Sequence, residues 1–471
     1  MKTCIKLFLV LFLIVGNNRS DAQQNLPGHW EGKITIGNMD LGIKVDFKKN
    51  YDSLSATIDI PQQNAYNLTL KNVYIRKDTV HFELPAGPGL AVFDGILNGD
   101  SITGNFSQSG IQGIFNLFKS TITLIDSVKI NERFYNEEEV IIKNGNDTIA
   151  GTLTIPKTKG PFAAVILITG SGAQNRDEEI YGFKPFRIIA DHLSKNNIAV
   201  LRCDDRGVGG STGKTDSATG KDFMEDVLAQ YNYLQSRNEI IKNKIGLLGH
   251  SEGATIAVML AAQKPDVAFI ILMAGTGVSG DSIILKQIEV LGKTSGLSDD
   301  EIKSSIELQN RVYDVVRSNL GWEELRKTIK KKTIERIEKT PPEQRQGIVD
   351  IEKFADMQVE TSIRTAKSPW FKFFINYNPA KDLTKVKCPV LGLFGELDMQ
   401  VDPDINSNYI KNALEKSGSK DYQIHIFPKA NHLFQEAKTG SPMEYGALSK
   451  EFIPGLLDTI SVWISKKVLI E

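Results

Sequence analysis

Cysteine is nearly absent: the 471 residues hold three, Cys4, Cys203 and Cys388. Such a count cannot build a disulfide framework. Cys203 and Cys388 border strongly apolar runs and read as buried thiols, with one disulfide between them as the alternative. Excess charge is missing too. Fifty-six Lys+Arg stand against 57 Asp+Glu, a formal charge of −1, which leaves no electrostatic footprint for a polyanion and argues against a nucleic-acid partner. No Cys/His cluster has zinc spacing and no D-x-[DN]-x-[DN]-G loop occurs, so neither a metal nor a cofactor is expected. Long apolar runs are lacking as well; none approaches the ~20 residues a membrane-spanning helix needs. What remains is an ordinary globular composition, 41% hydrophobic and 24% charged, long enough for two or three compact units.

The first residues are a separate matter. Lys2 and Lys6 flank a start that runs into the short apolar stretch Leu7 to Val15, followed by Ser20-Asp21-Ala22. Basic start, short apolar centre and small residues at a cleavage point read as a secretory signal over 1–22, implying export to the periplasm or outside the cell. An uncleaved anchor is the rival reading. No cysteine closely follows the apolar run, so lipid attachment there is not supported.

Residues 23–125 read as an antiparallel β domain. Two-fold alternation recurs in His29 to Ile36, Leu41 to Phe47, Leu54 to Ile60, Leu68 to Ile75, Val80 to Leu84 and three further runs, with gaps such as Lys77-Asp78 and Asn98-Gly99-Asp100. Regular short strands without a helical stretch predict a small barrel or sandwich, and closure would remove exposed edges. The opening Gly28-His29-Trp30-Glu31-Gly32 resembles the G-x-W start of lipocalin-like barrels, where the Trp either plugs one end of the core or serves a ligand site.

From about 134 to 471 the texture is different. A hairpin pattern, Val140 to Ile142 and Ile149 to Ile155, turns through Asn144-Gly145-Asn146-Asp147. Apolar runs at Ala163 to Thr169, Ala199 to Cys203, Lys244 to Leu248, Phe269 to Met273 and Val390 to Phe394 then alternate with helical stretches such as Phe186 to Lys195 and Asp222 to Ser236. Continuous apolar strands between amphipathic helices predict a parallel sheet covered on both faces, with ligands at the strands' carboxyl ends. Between about 280 and 380 the chain is helical and charged, opened by the capping box Ser298-Asp299-Asp300-Glu301, with Lys330-Lys331-Lys332 as a solvated face. An insertion there would lie over the strand ends as a lid.

Chemistry concentrates in Gly249-His250-Ser251-Glu252-Gly253, set between the strand ending at Leu248 and a small-residue helix. A G-x-S-x-G segment in that context is the sharp turn that exposes a nucleophilic serine, its glycines avoiding clashes. Ser251 needs a base, and six histidines allow elimination. His29 and His81 lie in the β domain, His192 in a helix, His250 inside the turn and His425 in a strand. His432 remains, in the loop after Tyr422 to Phe427; an imidazole, whose unperturbed pKa is about 6.5, suits proton transfer. Asp398, at the tip of the strand that ends in Gly395-Glu396-Leu397, is the expected partner that orients the base; Asp402 and Asp404 are rivals that Pro403 is expected to turn away. Oxyanion donors, worth about 3 to 4 kcal/mol each, are expected from the N–H of Glu252 and of Ser171 in Gly170-Ser171-Gly172, with Gly172 as the fallback.

Together these segments resemble an α/β-hydrolase, similar to bacterial serine esterases with a G-S-G-x-x-x-R-D loop. That loop is Gly170-Ser171-Gly172-Ala173-Gln174-Asn175-Arg176-Asp177; the likeness continues through Leu201 to Gly209, Pro369-Trp370-Phe371 and Gly395 to Asp398. Two residues depart from the pattern: Asn175 stands where relatives often have Asp, and Thr169 replaces the histidine of a His-Gly oxyanion loop. In that family the D-x-R-G-x-G segment is structural and braces the strand-end loop.

The resemblance implies a secreted carboxylesterase acting on short-chain esters through an acyl-serine, with a same-fold aminopeptidase acting on short peptides and a non-catalytic binding protein as alternatives. Trp370, Phe371 and Phe374, in an aromatic cluster with Phe373 and Tyr377, are expected either to line the substrate pocket or to pack the lid.

Overall fold

The computed structural model describes residues 25–37, 39–50, 53–60, 65–85, 89–120, 134–342, 345 and 347–468. The expected signal segment 1–22 lies outside them. Two compact units are present. One is built on strands β1–β9 and also takes in Pro342–Asp350 from the helical insertion; the other holds the second sheet and its helices.

In the first unit the strands are β1 (Gly28–Ile36), β2 (Met39–Asn50), β3 (Ser53–Ile60), β4 (Ala65–Thr69), β5 (Lys71–Arg76), β6 (Thr79–Leu84), β7 (Ala91–Asn98), β8 (Ser101–Gln108) and β9 (Ile111–Lys119). Their order, β4-β3-β2-β1-β9-β8-β7-β6-β5, is an up-and-down ring cut between β4 and β5. It is therefore a nearly closed barrel. Sequence alternation suggested one strand from Leu68 to Ile75, but the chain breaks at Leu70, whose N–H donates to the Ala56 carbonyl at 2.9 Å. Asn72 takes φ 50°, and the β5–β6 register shifts between Lys71 and Tyr74. Such a bulge lets a strand turn a corner at a barrel seam.

Alternate side chains fill the interior: Trp30, Val45, Phe47, Phe82, Phe93, Phe115 and Leu117 are buried. Phe82 stacks on Phe93 at 4.6 Å and meets Phe47 and Phe115 edge-on at 5.6 and 5.7 Å. Trp30 donates from Nε1 to the Leu26 carbonyl at 2.8 Å. The tryptophan thus plugs the core, as the simpler of its two readings has it.

The second sheet holds β10 (Tyr135–Asn144), β11 (Asp147–Pro156), β12 (Phe162–Ile168), β13 (Ile198–Cys203), β14 (Ile240–His250), β15 (Ile270–Met273), β16 (Val390–Gly395) and β17 (Tyr422–Phe427). Their order is β10-β11-β13-β12-β14-β15-β16-β17. β10 and β11 form the expected hairpin, Asn144 facing Asp147 with Gly145 at φ 59°; from β13 to β17 every neighbouring pair is parallel.

β12 shows why its sequence is continuously apolar. Ala163, Val165 and Leu167 pack against α1 (Pro185–Lys195) and α11 (Leu456–Val468), whereas Ala164, Ile166 and Ile168 face α2 (Gly220–Ser236), α3 (Glu252–Ala261) and α10 (Pro403–Lys416). Each fully buried aliphatic side chain contributes about 1.5–3 kcal/mol, so a polar residue on either face would be costly.

Between β15 and β16 run α4 (Gly280–Thr294), α5 (Asp299–Ser318), α6 (Trp322–Lys339), α7 (Ile351–Lys367), α8 (Pro369–Asn376) and the short α9 (Pro379–Leu383). The capping box forms: Glu301 accepts from the Ser298 N–H at 2.9 Å and returns its own N–H to Ser298 Oγ at 3.3 Å. The insertion reaches the strand ends, Gln287 Nε2 donating to the Gln400 carbonyl at 2.8 Å. Its lysine run is not merely a solvated face. Lys330 reaches Glu352 and Asp356 of α7 at 2.9 and 2.6 Å, and Lys332 donates to Ser304 Oγ of α5 at 2.6 Å. Both cysteines are free thiols, Cys203 buried and Cys388 half-buried, so no disulfide joins them.

Candidate active site

Because β12, β14, β16 and β17 are parallel, the loops after them emerge at one edge of the sheet. Ser171, Ser251, Glu252, Asp398 and His432 sit on such a loop or on the helix after it, whereas the aromatic candidates lie on α8 of the insertion. Ser251 joins β14 to α3 at φ 54° and ψ −116°, a conformation unfavourable to a residue with a Cβ. The flanking glycines make it attainable: a Cβ on Gly249 would lie 2.1 Å from the Gly253 carbonyl oxygen, and one on Gly253 would lie 2.1 Å from the Ile168 carbonyl oxygen. The Ser251 N–H is anchored on the Met273 carbonyl at 2.8 Å.

His432 and Asp398 meet. The ring's Nδ1 lies 2.7 Å from Asp398 Oδ2, with both side chains buried. Asp398 Oδ1 accepts from the N–H groups of Gln400 and Val401, each at 2.8 Å, so the carboxylate is held at both oxygens. Of the rival acids, Asp402 caps α10 by accepting from Ile405 N–H at 2.9 Å, and Asp404 lies in that helix's first turn. Pro403 stands between them at the start of that helix. Among the other histidines, His29 and His81 bond Asp46 and Asp94 at 2.7 Å, and His192 bonds Ser461 at 2.9 Å.

The Gly170 loop lies against the elbow, where a Cβ on Gly170 would be 3.4 Å from Ser251 Cβ. Gly170 donates its own N–H to Glu178 Oε1 at 2.6 Å, so it is not available to an incoming oxygen. The N–H of Ser171 follows it, and Glu252 opens α3, where first-turn N–H groups have no partner within the helix.

The loop is braced from below. Asp205 accepts from Thr169 Oγ1 at 2.6 Å and from the Gln174 N–H at 2.9 Å; Arg176 grips Asp204 through Nε and Nη2 at 3.1 and 2.8 Å. Thr169, the residue that replaces a histidine, thus takes part in the brace. Asn175 accepts from the N–H groups of Asp177 and Glu179 at 3.0 and 3.3 Å, a role an aspartate would also fill.

The three aromatic candidates separate. Trp370 donates from Nε1 to Glu252 Oε1 at 2.8 Å and stacks on Phe374 at 5.1 Å, beside the elbow. Phe374, with Phe373 and Tyr377, lines a small cavity that Glu252 and Thr255 also border. Phe371 instead is buried in the core of the helical insertion with Tyr313, Val316 and Ile375. Trp370 and Phe374 pack against the same cluster, so the lid-packing half of the expectation is the one Phe371 meets here.

Three buried ionisable groups escaped the sequence reading. Burial raises the Glu252 carboxyl to about 7, against the pull of Trp370, and the Asp205 carboxyl to about 8. His250 is buried beneath the elbow, Nδ1 2.9 Å from Glu178 Oε1 and Nε2 3.0 Å from the His432 carbonyl. Burial opposes a charge on that ring, but Glu178 and the carbonyl outweigh it and the pKa rises. Nothing in the spacing of the Arg-Asp-Glu-Glu run over 176–179 marks which acid turns inward.

Residues 183–296 match the family model described as serine aminopeptidase, S33, and residues 370–452 match that of the dienelactone hydrolase family. Esterase EstD of Thermotoga maritima is 27% identical over 334 residues, 70% of this chain and 68% of that protein. YtaP of Bacillus subtilis is 28% identical over 157 residues, 29% of this chain and 52% of that protein. Among solved structures, the α/β hydrolase GrgF from Penicillium sp. sh18 is similar with a TM-score of 0.44 and 14% identity, over 71% of this chain and all of that one. Strand order, the serine elbow and the family matches together identify the larger unit as an α/β-hydrolase domain, preceded in the chain by a nearly closed all-β domain.

Proposed function

We propose that this α/β hydrolase is an exported serine carboxylesterase that cleaves short-chain carboxylic esters. The observation that carries the reading is the buried His432–Asp398 pair at 2.7 Å, on the same sheet edge as the strained Ser251. Ser251 Oγ attacks the ester carbonyl carbon as its proton passes to His432 Nε2, while Asp398 holds Nδ1–H and so fixes the tautomer. The carbonyl oxygen gains charge against the N–H groups of Ser171 and Glu252. Collapse expels the alcohol, which takes the proton from Nε2. Water then repeats the sequence on the acyl-serine, releasing the acid and restoring Ser251. Trp370 and Phe374 border the acyl side.

Ester rather than peptide chemistry is supported by the long similarity to esterase EstD. The S33 match favours a second reading, an aminopeptidase with the same three residues. One preparation assayed on p-nitrophenyl acetate and butyrate and on aminoacyl-anilides separates the two: hydrolysis of anilides alone overturns the esterase. A fluorophosphonate probe tests the mechanism. Wild type is expected to label and Ser251→Ala not to; equal labelling removes Ser251 as the nucleophile, and no labelling of either leaves a binding protein. Export rests on the signal-like segment 1–22, and detecting the mature chain only in the cytoplasm of its source cell would refute it.

A further inference from the structure

We propose that His250 and Glu178 act as a positioning pair: sharing one proton, they tie the backbone of the Gly170 loop to the backbone of the His432 loop beneath the elbow. This inference rests on the serine-hydrolase reading above. Its geometry is a chain of contacts through three strand-end loops. The Gly170 N–H donates to Glu178 Oε1 at 2.6 Å; that same oxygen lies 2.9 Å from His250 Nδ1; and His250 Nε2 lies 3.0 Å from the His432 carbonyl. Ser251 directly follows His250. The Gly170 and His432 loops, expected to provide an oxyanion donor and the base, are thereby linked to each other as well as to the sheet.

The bonding rules fix the proton count. A carbonyl only accepts, so His250 Nε2 must carry a hydrogen. Nδ1 then faces a carboxyl oxygen, and one proton has to lie between them, on the ring as an imidazolium or on Glu178 as a carboxylic acid. Either form keeps all three contacts and leaves the pair neutral overall. Without that proton, a lone pair on Nδ1 would face a carboxylate in a site with little water to screen it. The arrangement is costly to maintain: Glu178 is 1% exposed, adopts φ 51°, and has a second oxygen that is buried with no partner among the described residues. A side chain needed only to fill space would not require a carboxyl there. Besides Glu178, the groups facing His250 are His432, through its carbonyl and a ring 4.8 Å away, and Asp398; Asp205 in turn faces Glu178. Burial disfavours a charged ring, and these partners reverse that effect, so His250 holds its proton above the ordinary histidine value.

Glu178→Gln cannot reproduce the arrangement. An amide oxygen accepting from Gly170 leaves no proton to share, so His250 must either carry an uncompensated charge or turn a bare Nε2 towards the His432 carbonyl. The expected result is a loss of roughly 10- to 100-fold in kcat and in the rate of fluorophosphonate labelling, with KM almost unchanged, because misplaced groups cost rate rather than binding. Wild type is also expected to lose kcat at alkaline pH as the His250 ring gives up its proton, and His250→Gln, which removes that ring, to lack this alkaline limb. A merely structural role would not remove it. Should either variant fail to fold, the 15N spectrum of histidine-labelled Ser251→Ala provides the test: at neutral pH His250 is expected to show a protonated Nε2 and an Nδ1 that is either protonated or accepting a hydrogen bond from Glu178, and an Nε2 without its proton or an Nδ1 with neither overturns the proposal. If wild type does not label with the fluorophosphonate, the serine-hydrolase reading fails; if it labels and Glu178→Gln labels equally fast, the positioning pair alone fails.

Discussion

The barrel and the hydrolase domain bury different kinds of side chain. Among the described residues, every buried side chain of β1–β9 is apolar, whereas all the buried polar and charged ones lie between Thr152 and Ser461. Many of these, among them Thr169, Gln174, Glu178, Asp204, His250, Glu252, Asp398, Asn431 and His432, belong to the strand-end loops and their continuations. Burying such groups costs free energy unless each is partnered, and here their partners are largely one another. The barrel spends its interior on ring packing and gains stability. The hydrolase domain accepts a polar interior at one edge, where catalysis needs fixed dipoles and an activated hydroxyl.

The largest effect should come from removing chemistry without touching packing. Ser251→Ala is expected to lower ester hydrolysis on the order of 10⁴-fold or more while leaving the melting temperature close to that of wild type; substantial residual turnover would place the reaction elsewhere. Next comes the opposite experiment. Phe93→Ala in the barrel, which removes a ring packed on Phe82, Phe106 and Phe115, should destabilise that unit by about 3–5 kcal/mol in denaturant titration and leave kcat unchanged under native conditions. A collapse of kcat in the still-folded protein would break the division of labour.

Glu252 sharpens the contrast through pH. Its unfolded carboxyl ionises near 4.5 and its folded one at about 7. Between those values the unfolded chain binds fewer protons, so this group makes stability fall as pH rises, with the whole loss in place above about 7. Glu252→Gln is therefore expected to be more stable than wild type by about 2–3 kcal/mol near pH 8 and by little near pH 4; urea titrations at both pH values check this, and an equal difference at the two would refute it. The smallest effect is expected from Trp370→Phe. Losing the hydrogen bond to Glu252, worth about 1 kcal/mol, should raise KM roughly five-fold, as steady-state kinetics on p-nitrophenyl butyrate would show; an unchanged KM would relegate Trp370 to lid packing.

The sequence made local features legible because they obey local rules. Two-fold alternation gave the barrel strands, yet the break at Leu70 was invisible: ring closure, not the residues' own preference, bends the chain there. Continuous apolar runs gave the parallel strands because both faces of β12 are covered. The G-x-S-x-G turn between strand and helix was readable since glycine is required where a Cβ would lie 2.1 Å from a carbonyl oxygen. Trp370 and Phe371 were indistinguishable as neighbours in one aromatic cluster; only the direction of α8 buries Phe371 in the insertion's core and lets Trp370, packed against that core, reach Glu252 at the elbow.

By itself the sequence determined the two kinds of sheet, the elbow around Ser251 and the small set of acids and histidines from which partners had to come. Tertiary structure decided which of them meet. His432 and Asp398 are 34 residues apart, and His250 and Glu178 are 72 apart; no spacing rule links such positions. The order of parallel strands brings their loops to one edge, and the demand that buried polar groups be paired selects the partners there.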